Sequence, residues 1–360
     1  MERLSLHNQN MNPSDETVSK KKITFRFLNV GQGDSTHIIL PNGQHMLVDM
    51  NLDHKNRGID VQQYLSDELP SSKGKKPLHF LVNTHPHDDH IRGLGGLGNT
   101  FDIREMWHSG HERDCEKGEN ESYDKFVALV EELGEKAKAV TASSEQWAEV
   151  SGVTFHVFRP SCYIKPDKDK TGEEKREAIH NECMVLKVSY AGRAVMLAGD
   201  SNKAAWESII KHYNKDGLLD SDVLHASHHG SRTFFKKKSE TDEAYTEHLD
   251  TIDPDAVVIS VGGNNRHDHP HKDAMDLYED GKREIYRTDE NLTVELTIDQ
   301  DGHMTWATDD EDFQRKYELP DPDDGGDGDG GDSGKRNGVA EKWGAGILSK
   351  TKLGDRSPTA

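Results

Sequence analysis

Thr84-His85-Pro86-His87-Asp88-Asp89-His90 is the stretch that decides how this chain reads, an H-x-H-x-D-H pattern packed into six positions. An apolar run, Leu78-His79-Phe80-Leu81-Val82, leads into it, and a glycine-rich run, Gly93-Leu94-Gly95-Gly96-Leu97, leads out. The apolar run predicts a buried strand, with the pattern on the loop just after it. Pro86 keeps that loop from continuing a ladder or starting a helix early. His85 and His87 flank a single residue, so an extended backbone projects both imidazoles to one side, close enough to share a divalent ion. Asp89 and His90 follow as the chain bends toward a helix and can face a second ion beside the first. Mixed nitrogen and oxygen ligands suit zinc, and also iron or manganese. A histidine-rich surface loop is the plain alternative, and the strand in front of the full pattern weighs against it.

The remaining composition narrows the class. The chain has 360 residues and a formal net charge of −21. Asp309 to Asp332 carries eleven acids and two bases, about −9 of that total, which leaves −12 for the rest. No basic footprint is visible over the whole chain, which counts against a long duplex wrapped on the surface. A short strand or small phosphoester held by metal ions stays open, because two divalent cations dominate a local field. Cys115, Cys162 and Cys183 form no C-x-x-C pair and fit a reducing compartment. No apolar signal core and no window of 18 apolar residues is present, so the expectation is a cytoplasmic protein without a membrane span.

Further motifs stand in order along the chain: Asn29-Val30-Gly31-Gln32-Gly33-Asp34-Ser35, Ala198-Gly199-Asp200, Ser227-His228-His229-Gly230-Ser231 and His269-Pro270. With the histidine pattern they resemble the motifs of the metallo-β-lactamase superfamily, in particular the hydrolase domain of ComEC-type DNA-uptake proteins. The resemblance covers about residues 23 to 300. It implies an α/β fold, the metallo-β-lactamase αβ/βα sandwich of two mixed β-sheets with outer helices. It also implies a metal-dependent hydrolase, here without the transporter's membrane helices.

Carried over residue by residue, the resemblance gives a site. His85, His87, Asp89, His90, Asp200 and His228 are expected to hold two divalent ions, Zn2+ or Mn2+, with Asp200 bridging them. Superfamily members often add a third histidine to the first ion just before the Met184 strand, where ComEC-like domains tend to have Asn. His180 and Asn181 both stand there, and His180 is preferred. Asp49, ending the Met46–Val48 run, matches the carboxylate that orients a metal-bound histidine. Asp34 takes a supporting place near the ions. Asp89, His229 and His269 are expected to act in catalysis, with Ser231 and Asn264 or Asn265 reaching substrate; Asn265 is preferred. The implied reaction is attack on phosphorus by a hydroxide shared between the ions, with His229 or His269 protonating the leaving group. The expected substrate is a short single-stranded nucleic acid or a small nucleotide. An ester, thioester or lactam hydrolase is the alternative, as is a non-catalytic partner-binding relict.

Outside the motifs, residues 1–22 are polar and predicted to be disordered. Residues 23–308 form the hydrolase domain, with helices expected at 59–69, 123–138 and 204–213. Lys165 to Glu177 reads as a charged solvated loop, and Lys236-Lys237-Lys238 as the one positive cluster near the mouth of the site. His108 and His111 read as solvated loop residues. Residues 309–360 form an acidic Gly/Asp-rich linker and flexible tail, whose apolar piece around Trp343 and Ile347-Leu348 could dock a protein partner.

Overall fold

A computed structural model describes residues 21–113, 115–140, 144–159, 172–235, 244–309 and 311–320. The chain fills two mixed sheets one after the other. β1 (Lys22–Phe27), β2 (Thr36–Ile39), β3 (His45–Val48), β4 (Lys76–Asn83), β5 (Phe101–His108) and β6 (Ala137–Ala139) enter the first sheet. β7 (Ser144–Val150), β8 (Val153–Phe158), β9 (Val185–Tyr190), β10 (Arg193–Leu197), β11 (Val223–His225), β12 (Ala256–Ile259) and β13 (Glu284–Arg287) make the second. β14 (Val294–Asp299) and β15 (Met304–Thr308) then return to the first, where β14 pairs with β1.

Direction follows connection length. Short turns join β1 to β2 and β2 to β3, and these pairs are antiparallel. Helical crossovers make β3, β4, β5 and β6 parallel: α1 (Val61–Glu68), then α2 (Asp88–Ile91) with α3 (Leu94–Thr100), then α4 (Glu121–Leu133). In the second sheet α5 (Gly172–Asn181) precedes the antiparallel β9. α6 (Lys203–Tyr213), α7 (Arg232–Phe235), α8 (Glu247–Ile252) and α9 (Lys272–Asp280) cross between the parallel strands β10 to β13. Asp60, Asn120 and Asn202 start α1, α4 and α6 by accepting from the backbone N–H three residues on.

Period-two patterning assigns the faces. Ile23, Phe25 and Phe27 of β1 point into a shared core with Ile38, Met46, Phe155, Leu186, Val195, Val258 and Leu296, between the two sheets. A second core lies under α1, α3 and α4, and a third under α6, α8 and α9. The result is a four-layered αβ/βα sandwich with helices on both outer faces.

Three stretches differ from the sequence reading. The helix expected at 123–138 ends at Leu133, where Gly134 takes φ +53°, and residues 137–138 belong to β6. Residues 172–181, expected in part as a solvated charged loop, form α5, because Ala178 and Ile179 give it a buried face. Residues 311–320, expected within the linker and tail, are folded onto the domain. A short helix, Asp312–Tyr317, packs Phe313 and Tyr317 edge-on against Tyr64. Leu319 donates its N–H to the Gly58 carbonyl, and Asp60 donates to that of Tyr317. Phe313 and Tyr317 lie four residues apart on one helical face, which an average over an acidic run conceals. Residues 1–20, 160–171, 236–243 and 321–360, with the lysine cluster and the docking piece, lie outside the described residues. Among the described residues no helix is long and apolar enough to cross a membrane.

Candidate metal centre

The ends of β4, β10 and β11 and the start of α2 lie along one rim between the sheets, and the polar side chains of the motifs converge there. β4 closes at Asn83, and residues 84–87 run extended before α2 begins at Asp88. The loop at Gly31–Gly33 passes so close beneath it that a Cβ on Gly33, at φ +152°, would lie 2.5 Å from the Asp89 carbonyl oxygen. Asp34 donates its backbone N–H to that same carbonyl. At the end of β10, Gly199 takes φ +50°, and a Cβ there would meet Thr84 Oγ1 and Cys183 Sγ, each at 2.8 Å.

Two groups of donor atoms result. His85, His87, His180 and Asp200 each aim one ligand atom at a common point, all within 4.8 Å of one another. His85 Nε2 and His180 Nε2 lie 3.1 and 3.0 Å from His87 Nδ1, and 3.7 and 3.6 Å from Asp200 Oδ2. The second group is Asp89, His90, Asp200 and His229. There His90 Nε2 and His229 Nε2 lie 3.2 and 3.4 Å from the other oxygen of Asp200, Oδ1. Asp200 thus turns one oxygen toward each group.

Buried atoms without partners test whether the set fits cations. His90 Nε2, His229 Nε2 and Asp200 Oδ1 are fully buried and have no hydrogen-bond partner among the described residues. Orphaned buried donors and acceptors are costly, so three converging on one point mark a place for another group. The opposite nitrogens are engaged: His90 Nδ1 meets Asp49 Oδ2 at 2.8 Å, and His229 Nδ1 meets the Ser260 carbonyl at 2.9 Å. Such contacts on Nδ1 direct the Nε2 lone pairs inward. Imidazole and carboxylate donors in this number suit a divalent ion in each group.

Electrostatics follow the same division. Burial disfavours the charged form of His90 and His229, yet Asp200 with Asp49 or Asp34 outweighs it and raises both pKa values well above the usual range. In the first group burial and like neighbours win: His85 and His180 are pushed well down, and His87 falls to about 4. Burial opposes ionisation of Asp200 and Asp89, but the surrounding imidazoles hold both well below the ordinary carboxylate range.

His228, expected as the second-group ligand, is not in that group. Consecutive left-handed residues, His228 at φ 52° and His229 at φ 53°, reverse the chain after β11 and send His229 inward. His228 faces the rim, its Nε2 3.8 Å from Asp200 Oδ2 and its ring 4.5 Å from that of His180. The Oδ1 of Asn181 is buried and has no hydrogen-bond partner among the described residues.

The two expected substrate contacts have other work. Ser231 Oγ shares a 2.8 Å hydrogen bond with Thr233 and is buried at the start of α7. Asn265 donates to the carbonyls of Gly262 and His269 and accepts from the N–H groups of His267 and His269. Its carboxamide is spent on shaping the loop. His269, which precedes a cis Pro270, packs its ring 6.4 Å from His229 and 5.9 Å from His228. Burial and the neighbouring imidazoles of His229 and His228 lower its pKa to about 3, so the ring is uncharged. An uncharged imidazole is a poor proton source for a leaving group, which weakens the role expected for it.

Supporting residues lie behind the donors. Asp34 stands 3.5 Å from His229, 3.6 Å from His225 and 3.9 Å from His90. The sequence assigns no role to His225, Gln32, Glu182 or Arg159. His111 is buried against Glu182 and is not solvated.

Both groups open on a cleft of about 1830 Å³. Arg57 and Arg113 on its wall pair with Glu318 and Asp88. Lys55, Arg92, Arg176 and Arg266 also line it, and among the described residues none of these four meets a carboxylate.

Comparison with known proteins agrees with this architecture. Residues 63–183 match the family model of the metallo-beta-lactamase superfamily. The chain is 24% identical over 280 residues to ComE operon protein 3 of Bacillus subtilis (strain 168), covering 74% of this chain and 32% of that protein. It is 24% identical over 289 residues to competence protein ComA of Neisseria gonorrhoeae, covering 80% and 34%. The chain therefore spans about a third of the length of the curated relatives it matches. Among solved structures it is similar to Igni18, a metallo hydrolase from Ignicoccus hospitalis, at 14% identity and a TM-score of 0.45, covering 76% of this chain and 98% of that one. The chain has the fold of the metallo-β-lactamase superfamily of metallo-hydrolases and is distantly related to these two competence proteins.

Proposed function

We propose that this chain is a two-metal phosphodiesterase acting in the cytoplasm on short single-stranded nucleic acid or a small nucleotide. His85, His87, His180 and Asp200 would hold one divalent ion, Zn2+ or Mn2+, and Asp89, His90, Asp200 and His229 the other. Ions so held supply charge stabilisation and an activated water at neutral pH. The residues around them set orientation: Asp49 and the Ser260 carbonyl fix the His90 and His229 rings, and His228 and His269 stand where a substrate oxygen would enter.

The observation that carries an anionic substrate is the cleft wall. In a chain of net charge −21, four cations in the cleft that contains both donor groups have no carboxylate partner among the described residues. Such groups attract phosphates by charge and bind them by hydrogen bonds. The competence proteins named above lend this reading support, limited by the third of their length that is matched.

The test is a substrate panel with the Zn2+- or Mn2+-loaded protein: bis-p-nitrophenyl phosphate, a single-stranded oligonucleotide and a thioester. Hydrolysis of the two phosphodiesters, lost on chelation, is expected. Turnover of the thioester alone would make the chain an acyl hydrolase, and no turnover of any would leave a binding protein.

A further inference from the structure

His180, like His87, differs from the other histidines of the centre in having no partner to hold its ring from behind. His90 leans on Asp49, His229 on the Ser260 carbonyl, and His85 Nδ1 lies 3.1 Å from Thr84 Oγ1. Among the described residues, no such partner meets the second nitrogen of His180. Its place is set through the backbone at the end of α5, and that backbone is tied down two residues later.

Glu182 turns into the interior, where its Oε2 accepts from His111 Nδ1 at 2.6 Å and from Arg159 at 3.3 Å. Arg159, which follows β8, donates to the carbonyl oxygens of Val140 and Ser109 beyond β6 and β5. One carboxylate thereby joins α5 to the ends of strands from both sheets. All three side chains are nearly inaccessible. Buried charges of this kind persist only when paired, so breaking the set is costly and its geometry is narrow. The intervening turn is closed on both sides: Cys183 N–H bonds to the His180 carbonyl, and Met184 N–H to that of Thr84, the neighbour of His85.

We propose that Glu182, clamped by His111 and Arg159, is a positioning residue that holds His180 in the first donor group and so controls the affinity of one of the two cations. This rests on the two-metal reading given above. Arg159, Glu182 and His111 touch no donor atom themselves and act through the α5 terminus.

The experiment measures Zn2+ affinity of the full chain by competition with a chromophoric chelator, together with the visible spectrum of the Co2+-loaded protein. Glu182→Gln is expected to weaken one ion by about 10–100-fold and leave the other within about twofold, with the Co2+ bands of one site altered. Adding Glu182→Gln to His180→Ala should cost nothing more, since Glu182 acts on the ion only through that ligand. Additive losses would overturn the proposal, as would two unchanged affinities in a folded Glu182→Gln protein. If Glu182→Gln does not fold, Glu182→Gln with Arg159→Met removes the buried guanidinium as well, and the same selective loss is expected. No Zn2+ bound by the unaltered chain would overturn the two-metal reading itself, and this proposal with it.

Discussion

Asp49 and Thr84 are joined twice: the Thr84 hydroxyl donates to Asp49 Oδ2 at 2.5 Å, and its backbone N–H donates to Oδ1 at 2.8 Å. With its proton on Asp49, the hydroxyl can accept from His85 Nδ1 at 3.1 Å, while Asp49 meets His90 Nδ1 directly. One buried carboxylate therefore orients a histidine of each donor group, one at first hand and one through a threonine. Burial raises the Asp49 pKa against these contacts, so its charge depends on partners that stay in place.

The first prediction follows from that double tie. Asp49→Ala should weaken both ions, by about 10–100-fold each, whereas Thr84→Val should weaken mainly the ion of the His85 group. Metal titration of the two variants checks it. Equal weakening of both ions by Thr84→Val would break the proposed relay.

A second prediction separates the adjacent histidines. His229→Ala removes a converging nitrogen and should lose one ion and nearly all activity. His228→Ala should keep both ions and lose activity only, since His228 sits on the rim. Elemental analysis decides: an ion missing from the His228→Ala protein would return that residue to the ligand set.

These adjacent histidines mark where reading the sequence stops. The H-x-H-x-D-H stretch was legible because its ligands are local: two alternate residues on an extended loop, then the first turn of a helix. Asp200 was legible because a strand end points its carboxylate toward the rim. Between His228 and His229, however, the choice depends on two left-handed residues in succession, which no period describes. Ser231 and Asn265 were read as substrate contacts because a hydroxyl and a carboxamide carry no sign of where their hydrogen bonds go. His111, Arg159 and Glu182 are spread over seventy-one positions and meet only when both sheets have formed.

The third prediction concerns His269. Under the phosphodiesterase proposal, this uncharged ring beside the donors would donate one hydrogen bond to a substrate oxygen. His269→Ala should slow phosphodiester cleavage by about 10–10²-fold, the worth of one bond to a charged group, with the ions retained. The factor should be the same for p-nitrophenolate and alkoxide leaving groups. A loss larger by about 10²-fold or more on the alkoxide substrate would reinstate His269 as the general acid.

The last prediction lies away from the centre, at His248. This residue is fully buried in an aromatic nest, with ring centroids 4.5 Å from Phe234, 5.6 Å from Tyr245 and 5.8 Å from Trp206, and neither ring nitrogen has a partner among the described residues. Burial, with Arg283 nearby, lowers its pKa from 6.5 to about 3. In the unfolded chain the ring takes up a proton below its ordinary pKa, and in the folded chain it does so only near pH 3. Between those values the unfolded state binds more protons, so stability falls as the pH drops through the window, by up to about 5 kcal/mol in all. His248→Phe keeps an aromatic ring in the nest and removes the titration. The variant should be at least as stable at pH 7, since two unpaired buried nitrogens are gone. Its urea midpoint should fall less steeply than the parent's between pH 6.5 and 4. Parallel pH curves for the two proteins would mean that His248 is protonated in the folded state, with an acceptor inside the nest.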